Sequence, residues 1–526
     1  MLQTLRQPVF LASTIIIVAL VLVGASFPDL FKSNAQSALD WTVQSFGWFY
    51  LISVFGFVLI LFYLALSKYG SIKLGPPDSQ PEFSFFSWVA MLLAAGFGVG
   101  LVFYGMAEPM KHFVTPPYGL AEARSSDAAA LAIQYSFFDW GVHQWSTFAI
   151  VGLIIGYHQF RRNEPGLVST VLKEPVSKLP GAKRVGNAVD VFAVVATVMG
   201  VATSVGLGVL QMNGGLEILY GIPKNTFVEF SILAVLAACY LLSVSSGLDK
   251  GIKILSNINL ALAGLLMLFV FLVGPTRVIA ETIVSGFGDY LQNFFVMSLK
   301  ATPFDGSTWA NDWTIFYWAW VIAWSPFVGT FVARISYGRT IREYVLGVLI
   351  MPPLLAILWI GVFGGAALHL ELAQNAGLAD AVDDNITSAL FELFKLLPLT
   401  QIFSLLSILL ILIFLITSAD SASYILAQMT HNGEADTPLF KRLTWGILLA
   451  AITLTLIASG GLEGLQAAAI LAALPFTFII YAMVAVLFRE LERDRLKILR
   501  ELQDIHGAPV AADQHEARKM SSAPGE

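Results

Sequence analysis

The sequence predicts an all-α integral membrane protein with twelve transmembrane helices, and three observations carry that expectation. Hydrophobic residues make up 57% of the 526-residue chain and charged residues only 13%, with a mean hydropathy of +0.74; soluble domains carry roughly a quarter charged residues. Apolar windows of about 20 residues, the length that crosses a bilayer as a helix, recur along the chain. The lysines and arginines divide unevenly between the two sides that those windows define. On the side of the N-terminus there are 23, and on the other 7, which accounts for all 30. Basic residues concentrate in cytoplasmic loops. Both ends of the chain are therefore expected in the cytoplasm, and ten or eleven spans would scramble the asymmetry.

The spans are expected at 9–27, 47–67, 87–107, 128–157, 187–213, 226–245, 254–275, 313–333, 344–368, 397–428, 443–460 and 463–488. The first is long enough to span and no small-residue cleavage site follows it, so it is expected to remain as a span. The one cysteine, Cys239, excludes an intrachain disulfide and any multi-cysteine metal site. Residues 276–300 mix apolar and polar positions and read as an amphipathic helix at the outer interface. Counting them as a span would put the later basic residues on the wrong sides. From Arg489 the tail (RELERDRLKILRELQDI) reads as a charged helix before a disordered end. A regulatory element and a merely solvated helix both fit it.

The third span contains Ala94-Ala95-Gly96-Phe97-Gly98-Val99-Gly100. Each glycine costs a helix roughly 1 kcal/mol against alanine. Such a run fits a backbone that unwinds, freeing N–H groups for a carboxylate and carbonyls for a cation. A tight helix contact through small residues is the other reading. The tenth span carries its own polar island, Thr417-Ser418-Ala419-Asp420-Ser421. Beside unwound carbonyls, two adjacent hydroxyls would complete an oxygen cage for a hard cation; alone, each would bond back to its own helix. Asp420 is a carboxylate in or near the membrane and so a functional candidate. Glu108 precedes Pro109 at a span end and is expected to be interfacial and structural. Asp139 and His143 offer a proton relay as a minor reading.

Aromatic residues mark the eighth span, WTIFYWAWVIAWSPFVGTFVARISYGRTIR (313–342), with Trp318, Trp320 and Trp324 before Arg334, Arg339 and Arg342. Tryptophan ordinarily sits at the membrane interface. Rings clustered deeper suit a cation with no N–H to donate, such as a quaternary ammonium; a bulky core would also use them. In the fourth span, Trp140, Trp145 and Phe148 add faces if the two spans are neighbours.

At these stretches the chain resembles the betaine/choline/carnitine transporter family over nearly its whole length. The matching segments are AAGFGVGLVFYGMAEP (94–109), FFDWGVHQW (137–145), KGIKILSNINLALA (250–263), 313–343 and ITSADSASYILA (416–427). The resemblance implies two extra helices (1–86) and a first inverted repeat of five spans, 3–7 (87–275). An interfacial helix and loop (276–312), a second repeat of spans 8–12 (313–488) and a cytoplasmic tail (489–526) follow. It also implies a homotrimer, with the amphipathic segment at the subunit contacts. The family's substrate cage maps onto Trp140, Trp145, Phe148, Trp320 and Trp324, with Trp318 beside it. The substrate carboxylate is expected at the backbone of Ala95, Phe97 and Gly98. One sodium site maps onto the carbonyls of Ala94, Phe97 and Phe414 and the hydroxyls of Thr417 and Ser418. A second would use Thr197 and the position held by Val201.

Four departures from the family pattern stand out: Val321 for a tryptophan, Phe148 for a common tyrosine, Phe97 for a methionine and Val201 for a hydroxyl residue. Losing an indole at 321 would remove about 0.5–2 kcal/mol of cation–π attraction and leave a larger cavity. Val201 leaves the second site incomplete, with Thr203 or Ser204 as substitutes. Gly100 stands where choline-type, proton-coupled members carry aspartate, which favours a zwitterion here. The expectation is an inner-membrane symporter importing a quaternary-ammonium zwitterion, glycine betaine first, with sodium as coupling ion. Exchange without sodium, or proton-coupled uptake of carnitine, choline or a sulfonium compound such as dimethylsulfoniopropionate, is the alternative. A channel or osmosensor is the alternative from another class. No nucleophile–base pair or cofactor motif points to an enzyme, and lipid, not nucleic acid, is the expected surrounding.

Overall fold

The computed structural model describes residues 7–96, 98–246, 249–304 and 306–506. Among these there is no β-strand, only an isolated bridge between Lys73 and Thr340. Phe97, the side chains of Ala94 and Ala95, and the chain end from 507 lie outside the described residues.

Helix α1 (Pro8–Ser26) meets α2 (Pro28–Leu66) at Phe27, which leaves helical geometry (φ −138°, ψ 62°) before Pro28 opens the next helix. With 39 residues, α2 is about 58 Å long, nearly twice the bilayer's hydrocarbon core. The stretch 28–46, left between the first two expected spans, is its first half; no proline after Pro28 stops the helix. The third span is two helices, α3 (Phe85–Gly96) and α4 (Val99–Val114), separated where Gly98 is extended (φ −123°, ψ 168°). The fourth span, expected as one helix, is also divided, into α5 (Ser126–Asp139) and α6 (Val142–Gly156). Trp140 and Gly141 leave the helix there, and the freed Val142 N–H donates to Tyr290 Oη at 3.2 Å.

Next come α7 (Ala182–Tyr220), α8 (Thr226–Ser246) and α9 (Asp249–Val273), then α10 (Thr276–Ser298), the expected amphipathic segment. A wide turn at Asn311–Ile315 leads into α11 (Phe316–Ile335). The chain ends with α12 (Ile341–Gln374), α13 (Thr400–Met429) and α14 (Leu439–His506). Thr340 and Glu343 cap α12 reciprocally. Gly461 interrupts α14 with φ +55°, between the eleventh and twelfth expected spans.

Nine helices among the described residues are long and apolar enough to cross a membrane, and α10 is not one of them. The protein is a multi-pass membrane protein. Its centre and its rim follow from burial: the apolar window of α7 is 94% buried, those of α1, α8 and α9 only 22%. Apolar residues exposed on those outer helices are matched to lipid rather than to a core. One crossing positions the site. A Cβ on Gly152 of α6 would lie 2.8 Å from the Gly329 carbonyl oxygen of α11. Small residues here let the two backbones touch, so the fourth and eighth spans are neighbours.

Candidate substrate and cation site

That crossing joins the aromatic residues of α6 and α11. Trp320 and Trp324 are four apart on α11 and stack, with centroids 6.4 Å apart and planes at 19°. Phe148 meets Trp324 edge-on at 5.9 Å and Trp145 at 5.4 Å. Trp140, in the break between α5 and α6, meets Trp320 at 6.2 Å. The five residues of the expected cage therefore form one continuous chain of rings. Trp318 does not join it: it stacks on His143 at 5.6 Å and meets Phe138 at 5.4 Å. Val321 is buried.

The cage packs directly on the broken helix. A Cβ on Gly100 would lie 2.3 Å from Trp320 Cη2 and 3.1 Å from Trp140 Cη2. The indoles leave no room for a side chain at 100. Trp320 Nε1 donates to the Gly200 carbonyl of α7 at 3.3 Å.

Beneath the rings lies a cavity of about 640 Å³, lined by Gly98, Trp324, Phe414, Thr417 and Ser418 toward the bundle centre and by Arg334 and Arg442 toward one end. Arg334 is exposed, so the cavity reaches the surface there. One space thus meets the unwound backbone, one cage indole and the polar island of α13. Of the five cage residues only Trp324 lines it; the others are packed against one another. Thr417 Oγ1 donates to the carbonyls of Ile413 and Phe414, at 3.0 and 3.1 Å. A hydroxyl committed as a donor keeps its lone pairs for a cation. Asp420 also lines the cavity and accepts from Ser243 Oγ at 2.5 Å.

Thr197 stands apart. It is fully buried on α7, donates to Ala193 O at 2.8 Å, and does not line the cavity. Thr203 bonds across to Leu465 O at 3.0 Å, tying α7 to α14, and Ser204 bonds back to Gly200 O. Asp139 and His143 form no relay: Asp139 accepts from Thr314 at 3.2 Å while His143 Nε2 meets Ser298 Oγ at 2.7 Å. The break between them turns the two side chains to different partners. Glu108, expected at a span end, is fully buried and accepts from Trp140 Nε1 at 2.8 Å and from Tyr317 Oη. Sequence reasoning missed Phe327, which stacks near Trp324 at 5.9 Å and lines the cavity. Its signal was its place three residues on, the same face of α11.

A family model described as "BCCT, betaine/carnitine/choline family transporter" matches residues 8–496. The chain belongs to this family. An ectoine/hydroxyectoine transporter of Virgibacillus pantothenticus is 51% identical over 495 residues, covering 94% of this chain and 98% of the relative. The glycine betaine transporter OpuD of Bacillus subtilis (strain 168) is 46% identical over 484 residues, 91% of this chain and 93% of the relative. The osmo-dependent choline transporter BetT2 of Acinetobacter baylyi is 36% identical over 515 residues, 97% of this chain and 74% of the relative. The betaine/carnitine/choline transporter match thus runs from α1 into the charged end of α14, taking in every residue of the candidate site.

Proposed function

We propose that the protein is a sodium-coupled importer of a small zwitterion with a cationic head, glycine betaine first, working by alternating access. The observation that carries this reading is the single cavity shared by Gly98, Trp324, Phe414, Thr417 and Ser418. It supports a carboxylate on freed backbone N–H groups, an onium group against indole faces, and sodium among carbonyl and hydroxyl oxygens. The glycine betaine transporter among the relatives supports the same substrate. In this reading the chain crosses the inner membrane twelve times. The nine long helices support that count once α14 is taken as two at Gly461 and the α3–α4 and α5–α6 pairs as one broken span each. Spans 3–7 and 8–12 form inverted repeats and both termini are cytoplasmic. The cavity's Arg334–Arg442 end then faces the cytoplasm, and this is an inward-facing state. A homotrimer would use α10, whose exposed Val284, Leu291, Phe295 and Val296 offer an apolar face.

Ectoine is the second reading. The 51%-identical relative favours it, and so does Val321, where an indole of the betaine-type pattern is replaced. A cyclic amidinium carboxylate presents the same two charges on a flat ring. Thr197 and Val201 give a second sodium little support, so one sodium ion is the proposed stoichiometry at the α13 site. The driving force is about 2.3 kcal/mol per charge per 100 mV. Replacing Thr417 and Ser418 together by alanine should raise the sodium concentration for half-maximal uptake at least several-fold. A sodium curve unchanged from wild type would remove the cation site from this reading.

A further inference from the structure

On the far side of the aromatic cluster from the cavity lies a buried polar group that the transport site does not use. Gly100, Tyr104, Glu108 and His112 recur every four residues along α4 and so share one face of it. Glu108, His112 and Asp139, the last residue of α5, are all fully buried, and one ligating atom of each lies within 4.8 Å of the others. Glu108 Oε2 accepts from Trp140 Nε1 and Tyr317 Oη. Asp139 Oδ1 accepts from Thr314 alone. Among the described residues, Glu108 Oε1, Asp139 Oδ2 and both ring nitrogens of His112 have no hydrogen-bond partner. His112 Nε2 stands 3.4 Å from Glu108 Oε1.

Among the described residues, the surroundings supply no fixed positive charge. No lysine or arginine among them comes within ion-pair distance of either carboxylate. The neighbouring Lys111 turns to Asp383 at 2.7 Å. The titratable groups facing the cluster are Tyr104 on α4, Tyr135 on α5 and Tyr317 on α11. Asp312 lies on the turn that also carries Thr314, and His143 is held by Ser298. Two carboxylates this close in a buried site cannot both be ionised without a compensating charge. Two donors support the charge of Glu108, so Asp139, with one donor and a bare oxygen, is the group that needs neutralising. A divalent metal is a poorer occupant. With Glu108 Oε2 held by two donors, one oxygen from each carboxylate and one imidazole nitrogen remain, short of the four ligands of a closed zinc site.

We propose that Glu108, His112 and Asp139 form a proton-binding site, holding one shared proton while this end of the bundle is closed. The site stands beside the sodium reading and does not rest on it. Its reach into transport runs through Glu108. The oxygen that anchors Trp140 and Tyr317 also anchors the rings lying 6.2 and 6.3 Å from Trp320. A proton gained or lost at Asp139 therefore changes the charge beside the carboxylate that holds Trp140 and Tyr317.

Infrared spectroscopy of the purified full-length protein tests this without substrate or sodium, so it succeeds or fails independently of the transport reading. The wild-type minus Asp139→Asn difference spectrum at pH 7 should contain the carbonyl stretch of one protonated carboxyl. His112→Gln, a second variant should the first fail to fold, should move the pH at which that band fades. No difference band for Asp139→Asn, or a band indifferent to pH and to His112→Gln between about pH 5 and 9, would overturn the proposal. So would one tightly bound metal per chain, measured by elemental analysis and lost in Asp139→Asn.

Discussion

Trp320 and Trp324 are four residues apart, and this spacing decides which indoles can face one substrate. Residues at i and i+4 share a helix face, whereas i and i+2 do not. Trp318, grouped with Trp320 and Trp324 in the sequence, stands two residues from Trp320, and its indole stacks on His143 instead. Replacing Trp324 by leucine removes about 0.5–2 kcal/mol of cation–π attraction from the one cage ring that lines the cavity. The apparent affinity for substrate should fall roughly 2- to 30-fold while the purified protein keeps its helicity and melting temperature; uptake with unchanged affinity would exclude Trp324 from the site. Gly100→Asp puts a side chain where Trp320 Cη2 already stands. It should abolish zwitterion uptake through displaced indoles, even where Asp brings the right charge for a cationic substrate. Retained betaine or ectoine affinity would show that the Trp320 contact is dispensable. The hydroxyls of α13 and the glycine run were readable because their chemistry is local. The partners of Glu108 were not, since Tyr317 and Trp140 reach it from two other elements.

At the scale of elements, the two breaks differ in how they were encoded. Three glycines announce the first in the sequence itself. The second, at Trp140–Gly141, carries a single glycine, and what satisfies its freed N–H is Tyr290 from α10, 148 residues away along the chain. A tertiary partner of this kind leaves no trace in local periodicity. The charged end of α14 was legible as a helix, but not its docking. Arg161 Nε pairs with Asp494 at 2.8 Å with both side chains largely buried, 8% and 12% exposed. Arg493 pairs with Glu174 at 2.7 Å with both about half exposed, 52% and 49%. Exposed pairs contribute roughly 0–1 kcal/mol, whereas breaking a buried one costs about 3 kcal/mol or more. Arg161→Ala should therefore make the tail markedly more sensitive to limited proteolysis, and Arg493→Ala should change it little. Equal cleavage of Arg161→Ala and wild type would mean that the buried pair does not hold the tail. The Arg493 hydrogen bond holds the Glu174 carboxyl below the usual carboxylate range. A depressed acid stabilises above its unfolded pKa and loses that contribution as pH falls through the folded value, so this contact weakens only in acid.

For the whole molecule, hydropathy and the charge asymmetry were enough to foresee a polytopic helical protein, because lipid imposes those patterns on every span. They could not foresee that the fourth and eighth spans touch through Gly152 and Gly329. Nor could they foresee that one cavity joins the break at Gly98, α11 and α13. Those are facts of packing, and they turn separate motifs into one site. The proposed function requires that this site couple sodium to a zwitterion. Its most direct test is uptake of labelled glycine betaine and labelled ectoine into proteoliposomes holding the wild-type protein, with and without an inward sodium gradient. Accumulation of at least one of them above the external concentration, abolished when the gradient is removed, is the predicted result. Uptake of either to the same level in both conditions, or only against preloaded substrate, would contradict sodium coupling; no uptake of either would contradict the substrate class.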